Sequence, residues 1–334
     1  MVKIRNIKDL ADLAGVSAGT VSRALAGSEL ISLKTREKIK ALADEHGFRP
    51  NAMARNLRIQ RTGAIGVLIP LGHETGQHIS DPFFITMLGL LADGLTERGY
   101  DLVLSRVIPT DSEWLERFVD SGRVDGLIVI GQSNQSSILD AVAARYRPLV
   151  VWGGHVAGQV HCSVGSDNRL GGDLAASHLL AQGCHRIAFF GDPTALELGQ
   201  RLQGCRDAMR RAGLDDQLTV LPAHLVAEDA HPDIARFLGA SSQRPQGIVA
   251  ASDVIAMSAL RALAEFGLAV PGDVRVIGYD GLAIGEQTVP RLSTISQDLT
   301  QGAAHMIDML LRRIAGEDTE SVVMPPHLVV RMSS

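Results

Sequence analysis

GVSAGTVSRALAG, residues 15–27, is the stretch on which the reading of this chain turns. Gly15 suits a helix C-cap and Ser17 an N-cap, so one helix ends and another begins within three residues. The new helix runs from about Ala18 to Ala26 with Val16, Val21 and Leu25 inward, and stops at Gly27. Its other face offers only Ala18, Gly19, Ser22 and Arg23, although glycine inside a helix costs about 1 kcal/mol relative to alanine. Upstream, IKDLADLA (7–14) repeats apolar residues at Ile7, Leu10, Leu13 and Ala14. Downstream, Ser32 caps a third helix through KTREKIKALADEHGF (34–48), with Ile39 and Leu42 inward and Gly47 ending it. Helix, short turn, helix is the helix-turn-helix arrangement, whose second helix lies in the major groove of DNA.

Charge separates this head from the rest. Residues 1–62 hold 12 Lys+Arg against 6 Asp+Glu, whereas the remainder holds 20 against 31. All five lysines (Lys3, Lys8, Lys34, Lys38 and Lys40) lie in the first 40 positions. A basic head on an acidic body implies a nucleic-acid contact confined to the head. With 334 residues and 46% hydrophobic residues, the chain suits two or three domains with large cores. No apolar run approaches the ~20 residues of a membrane span, and MVKIRNIKDL lacks the apolar core of a signal peptide. Cys162, Cys184 and Cys205 are too few and too scattered for a disulfide framework or a CxxC metal site, so each is expected buried and free, in a cytoplasmic protein.

Pro50 interrupts the helical head, and the basic segment NAMARNLRIQRTG (51–63) follows. From Gly63 the texture changes to short apolar runs: AIGVLIP, YDLVLSRV, VDGLIVIG, RPLVVWGG, HRIAFFGD, QGIVAAS and DVRVIGYD. Helical patterns such as FFITMLGLLADGLTERG and DLAASHLLAQG lie between them. Strands alternating with helices imply parallel sheets covered on both faces, and there are enough for two doubly wound subdomains with a cleft between them. No GxGxxG follows the first strand and no P-loop occurs, so neither a dinucleotide nor a phosphate-loop cofactor is expected. HExxH and CxxC are missing as well, which leaves no enzyme constellation.

Taken together, IKDLADLAGVSAGTVSRALAG (7–27), KTREKIKALADEHGFRPNAMARNL (34–57), GSDNRLGGDLAASHLLAQGCHRIAFF (165–190), VPGDVRVIGYD (270–280) and PRLSTISQD (290–298) closely resemble the LacI/GalR family of bacterial transcription repressors. The resemblance extends over nearly the whole chain, through HLVVRMSS (327–334). It implies an all-α helix-turn-helix head (1–49), a hinge helix and linker (50–62), and an effector-binding and dimerisation core (63–334) like a periplasmic sugar-binding protein. The core divides into an N-subdomain of about 63–164 and 295–324 and a C-subdomain of about 165–294 and 325–334. No heptad segment follows HLVVRMSS, so the resemblance implies a homodimer on a pseudo-palindromic operator, placed with the nucleoid in the cytoplasm.

On the second helix, Ala18 and Gly19 stand at two positions the family uses to choose operators, and Arg23 at a third. Alanine can touch a thymine methyl, glycine lets the backbone approach, and arginine can bond guanine O6 and N7 bidentately. Alternatively, Gly19 is merely tolerated and Arg23 holds a phosphate, the commoner kind of contact. Thr20, Ser22, Ser32 and Thr35 read as phosphate contacts or helix caps. In the hinge, Asn51 can cap a helix containing Ala54 and Leu57, with Arg55 and Arg58 outward. The resemblance gives Leu57 the role of a minor-groove wedge that kinks the central step.

Ligands of open α/β sheets bind at the carboxyl ends of the strands. Arg201 matches the family arginine that binds ligand hydroxyls or carboxylates, and Asp280 an aspartate that accepts from sugar hydroxyls; their structural alternatives are an interdomain ion pair and a cap. Gly281 stands where the family often has a second acid. Glu197 would accept sugar hydroxyls and repel a phosphorylated or carboxylated effector. Trp152 either stacks on a pyranose face or packs in the core. Asp81 and Phe83, ending the long loop LGHETGQHISDPFF (71–84), are expected to face the cleft, as are Gln297 and Ser252; Asp253 is either a direct contact or not. Asp167 and Asn168 read as turn and helix-cap residues. His73 and His78 lack a third ligand at metal-binding spacing and read as solvated loop histidines, so no metal is expected. The expected mechanism is a repressor released from its operator by a neutral sugar, a glucoside or similar oligosaccharide being the first guess. The alternative is a co-repressor-dependent regulator sensing a purine or a phosphorylated metabolite.

Overall fold

The computed structural model describes residues 4, 6–25, 27–48, 61–72, 74–132, 134–240 and 244–334, in two compact units, residues 1–62 and 63–334.

In the first unit, helices α1 (Ile7–Ala14), α2 (Ala18–Leu25) and α3 (Leu33–Glu45) surround a small core of Leu10, Ala11, Ala14, Val21, Ala24, Ile39 and Ala43. Asn6 caps α1 by accepting from the Lys8 and Asp9 amides, and Gly15 closes it at φ 70°, a left-handed turn suited to glycine. Ser17 Oγ accepts from the Thr20 amide at 3.1 Å and Ser32 Oγ from the Thr35 amide, so α2 and α3 each begin on a serine cap. Lys38 Nζ donates to the Ala14 carbonyl at 3.1 Å, tying α3 to the end of α1. Leu13 departs from the sequence reading: it is 45% exposed, and Ala11 takes the inward place. The stripe that a 3.6-residue period keeps on one face is 7, 10, 11 and 14, and position 13 falls off it.

The second unit contains two six-stranded sheets. The first has the order β11-β5-β4-β3-β1-β2, built from β1 (Ala64–Pro70), β2 (Asp101–Val107), β3 (Gly126–Ile130), β4 (Leu149–Trp152), β5 (Cys162–Ser166) and β11 (Val322–Met324). The second has the order β12-β10-β9-β8-β6-β7, from β6 (Ile187–Phe190), β7 (Leu218–Leu221), β8 (Gly247–Ala250), β9 (Arg275–Asp280), β10 (Ser293–Ser296) and β12 (His327–Val329). All neighbours run parallel except β10 and β12. Strands β1, β3, β4, β6 and β8 are buried throughout, as continuous apolar runs in a doubly covered parallel sheet should be.

Helices α4 (Pro82–Glu97) and α11 (Leu299–Ile314) pack on one face of the first sheet through Met87, Leu91, Leu95, Met306 and Leu310; α5 (Trp114–Asp120) and α6 (Ser136–Ala143) cover the other. The second sheet is covered by α7 (Asn168–Ala181), α8 (Leu196–Arg211), α9 (Ala227–Ala240) and α10 (Asp253–Glu265). The chain crosses between subdomains after β5, after β10 and after β11, each time at the same end of the two sheets. All three cysteines are free and buried. No described helix is long and apolar enough to cross a membrane.

Candidate functional site

The carboxyl ends of β1, β3, β4, β8, β9 and β10 lead into one cleft of about 110 Å³ between the subdomains. An apolar cavity of about 150 Å³ accepts benzene, so this space is on the scale of a single ring. Asp81, Phe83, Trp152, Glu197, Arg201, Asp280 and Gln297 all line it, together with Ser252.

Arg201 owes its place to two glycines. A Cβ at Gly172 would overlap the Arg201 carbonyl, and one at Gly204 the Arg169 carbonyl, so α7 and α8 touch backbone to backbone. Across that contact Arg201 Nε donates to Asn168 Oδ1 at 2.9 Å and Nη1 to the Ala251 carbonyl. The guanidinium carbon stands 3.7 Å from the Tyr279 ring centre, a cation–π contact. Its remaining neighbour is Asp280 Oδ1, 3.9 Å away.

Asp280 ends β9 at φ 119°, a backbone conformation that side chains other than glycine adopt at a cost of order 1–3 kcal/mol. Its Oδ1 accepts from Gln297 Nε2 at 2.7 Å, and Gln297 in turn accepts from Ser166 Oγ. Burial pushes the Asp280 carboxyl well above the usual carboxylate range; Asp253 and Asp81 push the same way, against Arg201 and Gln297. Gly281, at φ 78°, lies so close to Ser296 that a side chain there would collide, so the second acid that the resemblance implies for this position has no room here.

Asp81 caps α4, accepting from the Phe83 amide at 2.9 Å and from Gln77 Nε2 at 3.1 Å, and burial raises its pKa. Glu197 Oε1 accepts from the Gly154 amide at 3.0 Å, a bond that joins the two subdomains. Trp152 is 5% exposed and packs where Gly302 leaves space, and it also lines the cleft beside Phe83, ring centres 6.4 Å apart. Asp253 is different. It is wholly buried behind the wall, accepting from Thr294 Oγ1 at 2.6 Å and the Leu282 amide at 2.8 Å, while its neighbours Ser252 and Val254 face the cleft.

Asp167 caps α7 through the Leu170 amide, whereas Asn168 is buried and holds Arg201. Gln77 lines the cleft and was not legible in sequence, since nothing local marks a loop glutamine as buried. His78 is exposed, His73 lies outside the described residues, and no group of three metal-binding side chains occurs among the described residues.

On the head, Arg23 is exposed, and its Nη2 lies 3.6 Å from where a Cβ on Gly19 would stand, an ordinary contact. Ala18, Gly19, Thr20 and Ser22 are half-buried, Ala18 packing on the head core. Thr20 Oγ1 hydrogen-bonds Ser17 Oγ, and Ser32 and Thr35 are paired at the start of α3. Asn51, Ala54, Arg55, Leu57 and Arg58 lie outside the described residues.

Residues 6–51 match bacterial regulatory proteins, lacI family, and residues 176–334 a periplasmic binding protein-like domain. The HTH-type transcriptional regulator CelR of Thermobifida fusca is 32% identical over 335 residues, covering 97% of this chain and 96% of that protein. Among solved structures, a lac repressor dimer bound to operator and the anti-inducer ONPF superposes with a TM-score of 0.84 at 26% identity, covering 99% of both chains. A transcriptional regulator CelR–cellobiose complex superposes with a TM-score of 0.71 at 28% identity, covering 99% of this chain and 100% of that one. The helical head, the paired parallel sheets and these likenesses agree, and the chain belongs to the lacI family of bacterial transcriptional regulators.

Proposed function

We propose that the chain is a dimeric repressor that a small neutral sugar, bound in the cleft, releases from a pseudo-palindromic operator. One observation carries the choice of effector. Three carboxylates, Asp81, Glu197 and Asp280, line a space with a single guanidinium, and that guanidinium is already engaged by Asn168, Ala251 and Tyr279. Among the described residues that line it, acceptors for hydroxyl donors outnumber the one cation, the reverse of what a phosphate or carboxylate would need. Phe83 and Trp152 supply an apolar wall for a ring face. The solved regulator with cellobiose supports a sugar here.

On DNA, Ala18, Gly19 and Arg23 would face base edges, with Thr20, Ser22, Ser32 and Thr35 near phosphates or serving as caps. Asn51, Ala54, Arg55, Leu57 and Arg58 would form the hinge contact. The test is operator affinity with and without neutral sugars, sugar phosphates and purines at one salt concentration, because phosphate contacts alone move affinity by orders of magnitude. A neutral sugar that weakens binding is the expected result. A purine or phosphorylated ligand that strengthens it would overturn both the effector class and the sign of the switch.

A further inference from the structure

The three crossovers between subdomains lie at the β5/β11 and β10/β12 end of the sheets, so the opposite end, at β2 and β7, is where the cleft can open. That end is bridged. After β1 the chain makes the long excursion ETGQHISD (74–81) before α4 begins. Arg106 on β2 pins the excursion to its own subdomain, Nη2 donating to the Thr75 carbonyl at 2.8 Å and the Gln77 carbonyl at 3.2 Å. From there Glu74 reaches the other subdomain, where its Oε2 lies 3.0 Å from Nδ1 of His224, in the segment after β7. Gln77 and Asp81 of the excursion and Leu225, the neighbour of His224, all line the cleft, so the pair sits at its rim.

We infer that residues 74–81 form a strap across the mouth of the cleft, latched to the second subdomain by the Glu74–His224 ion pair and loosened when His224 loses its proton. This rests on the cleft being the effector site. Glu74 raises the affinity of His224 for its proton, chiefly through the hydrogen bond, and Asp233 and Asp229 of α9 act in the same direction against the opposing effect of partial burial. The latched state therefore binds the proton more tightly than the open one. Its contribution is complete below the ordinary histidine range and is lost as pH rises through the raised value. The pair joins the two jaws toward the β2 and β7 end, away from the crossovers, where a contact acts with a long lever.

Amide hydrogen exchange of the full chain, without effector or DNA, tests this at about pH 6 and about pH 8, each rate referred to unstructured amides at the same pH. In the wild type, protection of the strap amides and of the facing lining segment 195–198 should fall together, roughly two- to fivefold as for an exposed ion pair. Glu74→Ala and His224→Gln should show the looser, pH-independent level at both values, with β8 amides unchanged as the sign of an intact fold. Protection that ignores pH, or that survives either substitution, would overturn the latch. Loosening of the strap alone, with segment 195–198 unmoved, would overturn its hold on the jaws. Because no effector is present, these outcomes are independent of whether the ligand is a sugar.

Discussion

Two buried carboxyls, Asp253 and Asp280, stand at the back of the cleft, and burial sets how they titrate. Asp253 is pushed up to about 6, first by burial and against its bonds from Thr294 and Leu282. A carboxyl raised in the folded state favours folding below its ordinary range and loses that contribution as pH rises through the folded value. The melting temperature of the wild type minus that of Asp253→Asn should therefore shrink by roughly 5 °C as pH rises from about 4 to about 7. An unchanged difference across that window would mean Asp253 does not ionise there. On the head, Arg23→Ala should weaken specific operator binding by about 1–3 kcal/mol and relax preference at one base pair, read by titrating operator variants. Equal weakening on specific and random DNA would assign Arg23 to phosphate instead. Asp280 was legible because it ends an apolar run whose end must meet the cleft, and Arg201 because the family resemblance marks its position. Gln77 was not, because its burial depends on a loop folding back over its own subdomain.

Helices α7 and α8 approach so closely that their glycines leave no space for a methyl group. Gly204→Ala should cost about 1–3 kcal/mol by urea denaturation, and should weaken effector binding as Arg201 and Asn168 shift together. Gly89 gives the contrast within the same experiment. It sits on the exposed side of α4 with nothing within 4 Å of an added Cβ, so Gly89→Ala should gain about 0.5–1 kcal/mol. Similar effects of the two substitutions would refute the packing argument. The apolar strands were plain in the sequence, but β5, CSVGS, and β10, STIS, were not. Their small polar residues are buried where partners far along the chain satisfy their backbone and side-chain polar groups. Ser321 Oγ accepts from the Ser163 amide, Ser333 Oγ from the Ser293 amide, and Thr294 Oγ1 donates to Asp253. Local periodicity carries no record of a bond across 40 or 158 residues.

Across the whole molecule, the proposed switch is a coupling between operator and effector, and such coupling is reciprocal. If a sugar lowers operator affinity by some factor, saturating operator DNA should lower the affinity for that sugar by the same factor, measured by calorimetry at matched salt. Unequal factors would mean the two ligands do not bias one shared equilibrium. The paired subdomains could be read from the alternation of strands and helices, whereas the order in which strands line up could not.

Residues 322–334 supply the outer strand of both sheets, β11 beside β5 and β12 beside β10, and then send Ser333 inside to bond Val276. During synthesis neither half can therefore finish folding before the other. Both wait for the same stretch of polypeptide to leave the ribosome, and a nascent chain halted before that stretch emerges would expose two open sheet edges at once.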